Sequence, residues 1–283
     1  MSRLFKRSLI TTLALAALVY LALCFFMWQT QRHFIFLPSQ VLQTTPDRVG
    51  IPHYEVVHIP SGSGSERGEL YGWWLPAAQP NAPTLLYLHG NGENISQSLF
   101  KGDQLYGMGY NLLLVDYRGY GESTGGEPSE AKSYEDADAA WNYLLKRAGR
   151  NKSIFIYGHS LGGAIAIDLA IHHPEATGLI AESTFTTMSD MGKRQYNFLP
   201  VDLLLNQRFD SLGKVGRLKI PVLYIHGMLD TLIPYGMSER LFEKSPQPKF
   251  FKTIKGGGHD DSSTVGWTEY RDAVGEFVKK YAH

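Results

Sequence analysis

With one cysteine in 283 residues, this chain can form no disulfide framework of its own. No Cys/His cluster has zinc spacing. Charge of one sign is also lacking: 27 basic side chains stand against 27 acidic ones, so there is no electrostatic footprint for nucleic acid. Internal repeats and low-complexity tracts are missing, which excludes solenoids and fibrous arrays. The Ser-Gly cluster Ser61-Gly62-Ser63-Gly64-Ser65 is too short for a domain linker and reads as a hairpin loop. With 43% hydrophobic residues, the chain can bury one large core or two small ones.

One long apolar run is present. Between Arg7 and Arg32 there is no charged side chain, and residues 8–28 are apolar or small throughout. A bilayer-spanning helix needs about 20 such residues. A cleaved signal peptide has a shorter hydrophobic region, about 7–15 residues, followed by small residues at the cleavage site. Here Leu23, Phe25, Phe26 and Met27 occupy that place. Leu21-Ala22-Leu23-Cys24 is similar to the lipid-modification box of bacterial lipoproteins, but Leu23 stands where a small residue is needed. The reading is an uncleaved anchor. Residues 1–30 form a cytoplasmic tip and transmembrane helix, 31–50 a juxtamembrane segment, and 51–283 the folded domain. Arg3, Lys6 and Arg7 before the span outnumber Arg32 and Arg48 after it. That bias puts the N-terminus in the cytoplasm and the domain on the outer side, periplasmic in a bacterium. The lipid bilayer is therefore an expected partner, with Phe34-Ile35-Phe36-Leu37-Pro38 at the interface or packed under the domain.

From about residue 50 strands alternate with helices. Strands are expected at 54–59, 70–75, 84–89, 111–116, 153–158, 178–182, 222–226 and 250–254, and helices at 95–106, 129–146, 161–170, 236–243 and 267–281. Short, wholly apolar strands such as Leu85-Leu86-Tyr87-Leu88 and Leu112-Leu113-Leu114-Val115 belong to a sheet covered on both faces. The alternation predicts an α/β fold: a mostly parallel eight-stranded sheet flanked by helices, begun by an antiparallel pair. In such sheets ligands bind beyond the carboxyl ends of the strands.

The polar candidates fall at those ends. Gly158-His159-Ser160-Leu161-Gly162 sits between a β-branched run and a small-residue helix, the context of a nucleophile elbow. A Cβ at either glycine would clash in so sharp a turn. Ser160 would then stand exposed at a helix N-terminus, where an anion is favoured. A serine hydroxyl needs a base, and His259 follows the last strand through Gly256-Gly257-Gly258. The base needs an acid: Asp230 lies after the strand that ends at His226, with Glu182 a rival at another strand end. Oxyanion donors are expected from the backbone N–H of Leu161 and of Asn91, in the loop His89-Gly90-Asn91-Gly92-Glu93-Asn94. The charges of Asp116 and Arg118 could bind substrate, but they are expected to pair and brace the elbow. Of two formal glycosylation sequons, at Asn94 and Asn151, the first is read as chance, since a glycan there would obstruct the oxyanion loop.

Together these segments are specific. His89-Gly90-Asn91-Gly92, Asp116-Tyr117-Arg118-Gly119-Tyr120-Gly121, the elbow, His226-Gly227 with Asp230, and Gly258-His259 make the chain from about residue 35 onward resemble the α/β-hydrolase superfamily. It looks most like the membrane-anchored α/β-hydrolase domain-containing serine hydrolases. The resemblance implies a Ser160–Asp230–His259 triad, no metal, no organic cofactor, and hydrolysis of acyl esters or thioesters. It also implies a cap where residues 185–218 lie, here too short for a lid domain, so an open, partly apolar mouth is expected. A serine peptidase on the same fold and a catalytically silent binding protein remain as alternatives. Dehalogenase or epoxide-hydrolase chemistry needs an aspartate where Ser160 stands.

Overall fold

The computed structural model describes residues 3–148 and 153–282; the sequon at Asn151 lies outside the described residues. Eight strands form one sheet: β1 (Glu55–Ser61), β2 (Gly68–Leu75), β3 (Thr84–Leu88), β4 (Asn111–Val115), β5 (Ile154–His159), β6 (Gly178–Glu182), β7 (Val222–Gly227) and β8 (Lys249–Ile254). Their order is β1-β2-β4-β3-β5-β6-β7-β8. β2 pairs antiparallel with β1 and with β4, and every later pairing is parallel. This is the α/β-hydrolase fold, and each strand lies within two residues of its expected bounds.

The helices are α1 (Arg3–Ile35), α2 (Ile95–Gly107), α3 (Glu130–Ala148), α4 (Leu161–His172), α5 (Met188–Gln195), α6 (Val201–Leu204), α7 (Ser211–Lys214), α8 (Tyr235–Lys244), α9 (Ser262–Val265) and α10 (Trp267–Tyr281). Side chains alternate across the sheet, so each strand feeds two cores. Leu86 and Ile156 join one core with Trp141 of α3 and Ile165 of α4. Leu85 and Phe155 join the other with Leu99 of α2 and Phe277 of α10. Each such fully buried aliphatic or aromatic side chain contributes roughly 1.5–3 kcal/mol.

Helix α1 behaves differently. Over 33 residues it buries only Cys24, Gln31 and Ile35, while Leu13, Leu18 and Leu21 stand exposed. It is long and apolar enough to cross a membrane. Its last turns pack on the segment between β6 and β7: Cys24 and Met27 meet Leu199, Val201 and Leu204. That segment carries α5, α6 and α7, a short cap. Beyond α1 the chain enters the domain at once, with Phe36 buried edge-on against Phe209.

Candidate active site

The turn from β5 into α4 is as tight as its glycines require. A Cβ on Gly158 would stand 2.2 Å from the Gly162 carbonyl oxygen, and one on Gly162 2.1 Å from that of Leu88. Between them Ser160 adopts φ +55°, a strained conformation for a residue with a side chain. The surroundings hold it there. Ser160 N–H donates to Glu182 O at 2.9 Å, and its carbonyl accepts from Thr184 Oγ1 at 2.8 Å.

Two further loops reach the serine from strand ends. His259 Nε2 lies 2.9 Å from Ser160 Oγ, and its Nδ1 lies 2.8 Å from Asp230 Oδ2. For the serine hydroxyl to donate to Nε2, the proton of the neutral ring must sit on Nδ1 and point at the carboxylate. Asp230 Oδ1 accepts from the N–H groups of Leu232 and Ile233, at 2.9 and 2.8 Å. His226 Nε2 stands 3.1 Å from Oδ2. Burial alone would raise the Asp230 carboxyl, but hydrogen bonds from His226 and His259 and the backbone donors outweigh it. The group stays well below the usual carboxylate range. Leu229 N–H donates to Gly257 O at 2.8 Å, tying the Asp230 loop to the His259 loop. Gly227 permits that approach, since a Cβ there would meet the same oxygen at 2.2 Å.

Leu161 is the first residue of α4, so its N–H has no partner within the helix. Both Leu161 and Asn91 line the cavity above Ser160. The Asn91 side chain has a role that spacing could not reveal. Its Oδ1 accepts from Leu37 N–H at 3.0 Å and from Tyr120 Oη at 2.8 Å, and its Nδ2 donates to Ile35 O. Asn94 repeats the pattern, with Nδ2 donating to Ser39 O and Val41 O at 3.2 and 3.0 Å. Residues 35–41 are thus strapped across the loop. Asn94 is fully buried and caps α2 in a capping box with Gln97, a sufficient reason for its presence.

Other candidates lie elsewhere. Glu182, the rival acid, is fully buried against Lys101 Nζ at 2.6 Å and Tyr157 Oη. Burial opposes its charge, yet the Lys101 ammonium keeps it ionised, below its ordinary range. The expected pairing of Asp116 with Arg118 is not made. Arg118, also fully buried, donates to Asp136 at 2.7 Å beneath the Ser-Gly loop. Asp116 instead accepts the Ile95 N–H at the start of α2, 2.8 Å away, and burial pushes it up to about 8. His159, the variable position of the elbow, was not singled out. Its Nε2 lies 3.1 Å from the His259 carbonyl and its Nδ1 3.9 Å from Glu93. Burial works against the Glu93 carboxylate, but His159 and the Gly90 N–H hold it down at about 2. His159, His259 and Asp260 bring donor atoms within 4.8 Å of one another. Both Nε2 atoms there already have partners, so the set is poorly disposed to a metal.

Ser160 and His259 open into a cavity of about 860 Å³, within the range of small-molecule sites. Its walls are mostly apolar, with Met188, Met191 and Leu205 from the cap and Met27 and Phe34 from α1.

Comparison with known proteins adds the following. A family described as serine aminopeptidase, S33 matches residues 79–209. An uncharacterized protein of Mycobacterium tuberculosis is 32% identical over 271 residues, 95% of this chain and 94% of that protein. The alpha/beta hydrolase domain-containing protein 17B of Homo sapiens is 33% identical over 223 residues, 76% of this chain and 73% of the relative. An esterase structure from Pyrococcus furiosus matches with a TM-score of 0.71 at 22% identity, covering 88% of this chain and 98% of the esterase. The acylaminoacyl peptidase of Pyrococcus horikoshii matches at 0.61 and 17% identity, over 84% of this chain and 44% of its own.

Proposed function

The chain belongs to the α/β-hydrolase superfamily, and on that premise we propose a membrane-anchored serine hydrolase that cleaves carboxylic ester or thioester bonds of acyl substrates. One observation carries the reading: the continuous hydrogen-bonded line from Ser160 through His259 to Asp230, opening on an apolar cavity. In this scheme Ser160 Oγ attacks the substrate carbonyl carbon while its proton passes to His259 Nε2. Asp230 keeps the other ring proton on Nδ1 and stabilises the imidazolium. The N–H groups of Leu161 and Asn91 hold the tetrahedral oxyanion. Collapse expels the alcohol or thiol, which takes the proton from His259, and leaves Ser160 acylated. Water then enters with the same base, and the acid departs. The scheme needs no cofactor or metal.

Helix α1 supports the anchor. Residues 8–28 make about 31 Å of apolar helix, matching a hydrocarbon core of about 30 Å. In this reading the N-terminus is cytoplasmic and the domain, residues 51–283, lies across the bilayer with 31–50 as the juxtamembrane strap, supported by the basic residues before the span. A peptidase reading has its own support in the family description and the acylaminoacyl peptidase likeness. A fluorophosphonate probe, followed by matched acyl esters, thioesters and aminoacyl arylamides, tests all three. Labelling at Ser160 with ester turnover is expected, and Ser160→Ala should lose on the order of 10⁶ in turnover. Turnover of arylamides alone would favour the peptidase; an unlabelled protein would be a silent binding protein.

A further inference from the structure

The anchor and the candidate substrate cavity share residues. Met27, Gln31, Phe34 and Ile35 of α1 all line the cavity that holds Ser160 and His259. Spaced by four, three and one, they lie on one face of the helix. We propose that this face of α1 forms one wall of the acyl-binding channel and so sets the acyl-chain length the enzyme accepts. The inference rests on the serine hydrolase reading above and deepens it.

The direction of the channel follows from the strap. Ile35 and Leu37 bond to Asn91, so this end of α1 lies beside the candidate oxyanion loop and close to Ser160. Met27 lies eight residues back, about 12 Å along the helix axis at 1.5 Å per residue. An acyl chain leaving Ser160 runs past Phe34 and Gln31 before it reaches Met27, inside the apolar span. Gln31 does not make this wall polar. Its Nε2 donates to Leu204 O at 3.1 Å and to Trp28 O at 2.8 Å, and its Oε1 accepts from Asn206 N–H at 2.8 Å. With its amide engaged on both sides, Gln31 closes the seam between helix and cap. Met188, Met191 and Leu205 of the cap line the same cavity, and flexible methionines from both helix and cap suit a chain of variable bend. The occupant is a linear acyl chain, since the cavity joins the nucleophile to apolar groups on each flank.

The test uses the full chain in lipid nanodiscs, with p-nitrophenyl acetate and dodecanoate as substrates. Met27→Trp fills the far end of the channel and Phe34→Ala widens its middle. The dodecanoate-to-acetate ratio of kcat/KM should fall by about tenfold or more in the first, at least one methylene's worth of discrimination, and rise in the second. A long-chain fluorophosphonate with a terminal diazirine, bound to Ser160 of the unmodified protein, should cross-link to the peptide spanning residues 20–35. That measurement stands even if a variant misfolds. Ratios that do not move, or cross-links confined to the cap and sheet of a labelled protein, overturn the wall and leave the hydrolase reading intact. Failure of the unmodified protein to label at Ser160 takes both down.

Discussion

Replacing Asp230 by asparagine is the sharpest probe of the proposed chemistry, because the structure dictates which way the amide must face. Asp230 Oδ1 accepts from two backbone donors, Leu232 and Ile233, at 2.9 and 2.8 Å. An asparagine keeps those bonds only by placing its oxygen there. Its NH₂ group then points at His259 Nδ1, where Oδ2 stood 2.8 Å away. A donor facing Nδ1 forces the ring proton onto Nε2, and a protonated Nε2 cannot take the proton of Ser160. The tautomer is wrong, not the geometry. By analogy with serine-protease triads the loss should be about 10⁴-fold in turnover, or ~5.4 kcal/mol at 1.36 kcal/mol per decade. Asp230→Ala is a poorer probe. It strands the N–H of buried Ile233 at a cost of about 1–3 kcal/mol, so fold and catalysis fail together. The assay is steady-state hydrolysis of p-nitrophenyl acetate, with urea midpoints to show that the Asn variant stays folded. A folded Asn variant that loses less than about tenfold would refute the assignment of Asp230 as the group that sets the tautomer.

Three further outcomes follow from the same coordinates. Asp116 holds its proton up to about 8 in the folded protein, against about 3.9 when unfolded. The native state therefore binds more protons through that window, and stability falls as pH rises from about 4 to 8. Asp116→Asn keeps an acceptor for Ile95 N–H and should flatten that decline, measured as urea unfolding at pH 5 and pH 8.5. Asn91→Ala leaves fully buried Tyr120 without its hydroxyl partner and frees Leu37. It should cost about 1–3 kcal/mol by urea titration, and a turnover loss short of the ~10² expected for outright removal of an oxyanion donor. Gly162→Ala drives a methyl to 2.1 Å from the Leu88 carbonyl oxygen. It should destabilise by more than ~3 kcal/mol or abolish folding, read as a lowered thermal midpoint.

The sheet was legible because its strands are short apolar runs punctuated by glycine and polar turns, and Leu85–Leu88 or Leu112–Val115 has no other stable place to go. Ser160 was legible from its glycine elbow, and Asp230 and His259 from their loops after strand ends; the structure brings those three side chains together. What escaped has a common cause. Helices α6 and α7 are four residues each, too short for any periodicity. His159 and the side chains of Asn91 and Asn94 act through contacts between segments distant in sequence. Arg118 donates to Asp136 of α3 and to the Glu66 carbonyl just after the Ser-Gly loop, contacts that no local pattern records. The capping box Asn94-Ile95-Ser96-Gln97 was readable and overlaps the sequon at its first three residues.

Gln31 grips the cap through both ends of its amide, tying the rod to the globule. Under the anchoring proposed above, helix tilt and domain attitude become a single variable. A bilayer thinner than the rod is long is met by leaning the rod over. Leaning it tips the mouth of the cavity toward or away from the headgroups. Membrane thickness would then govern the angle at which the cavity mouth meets the bilayer surface.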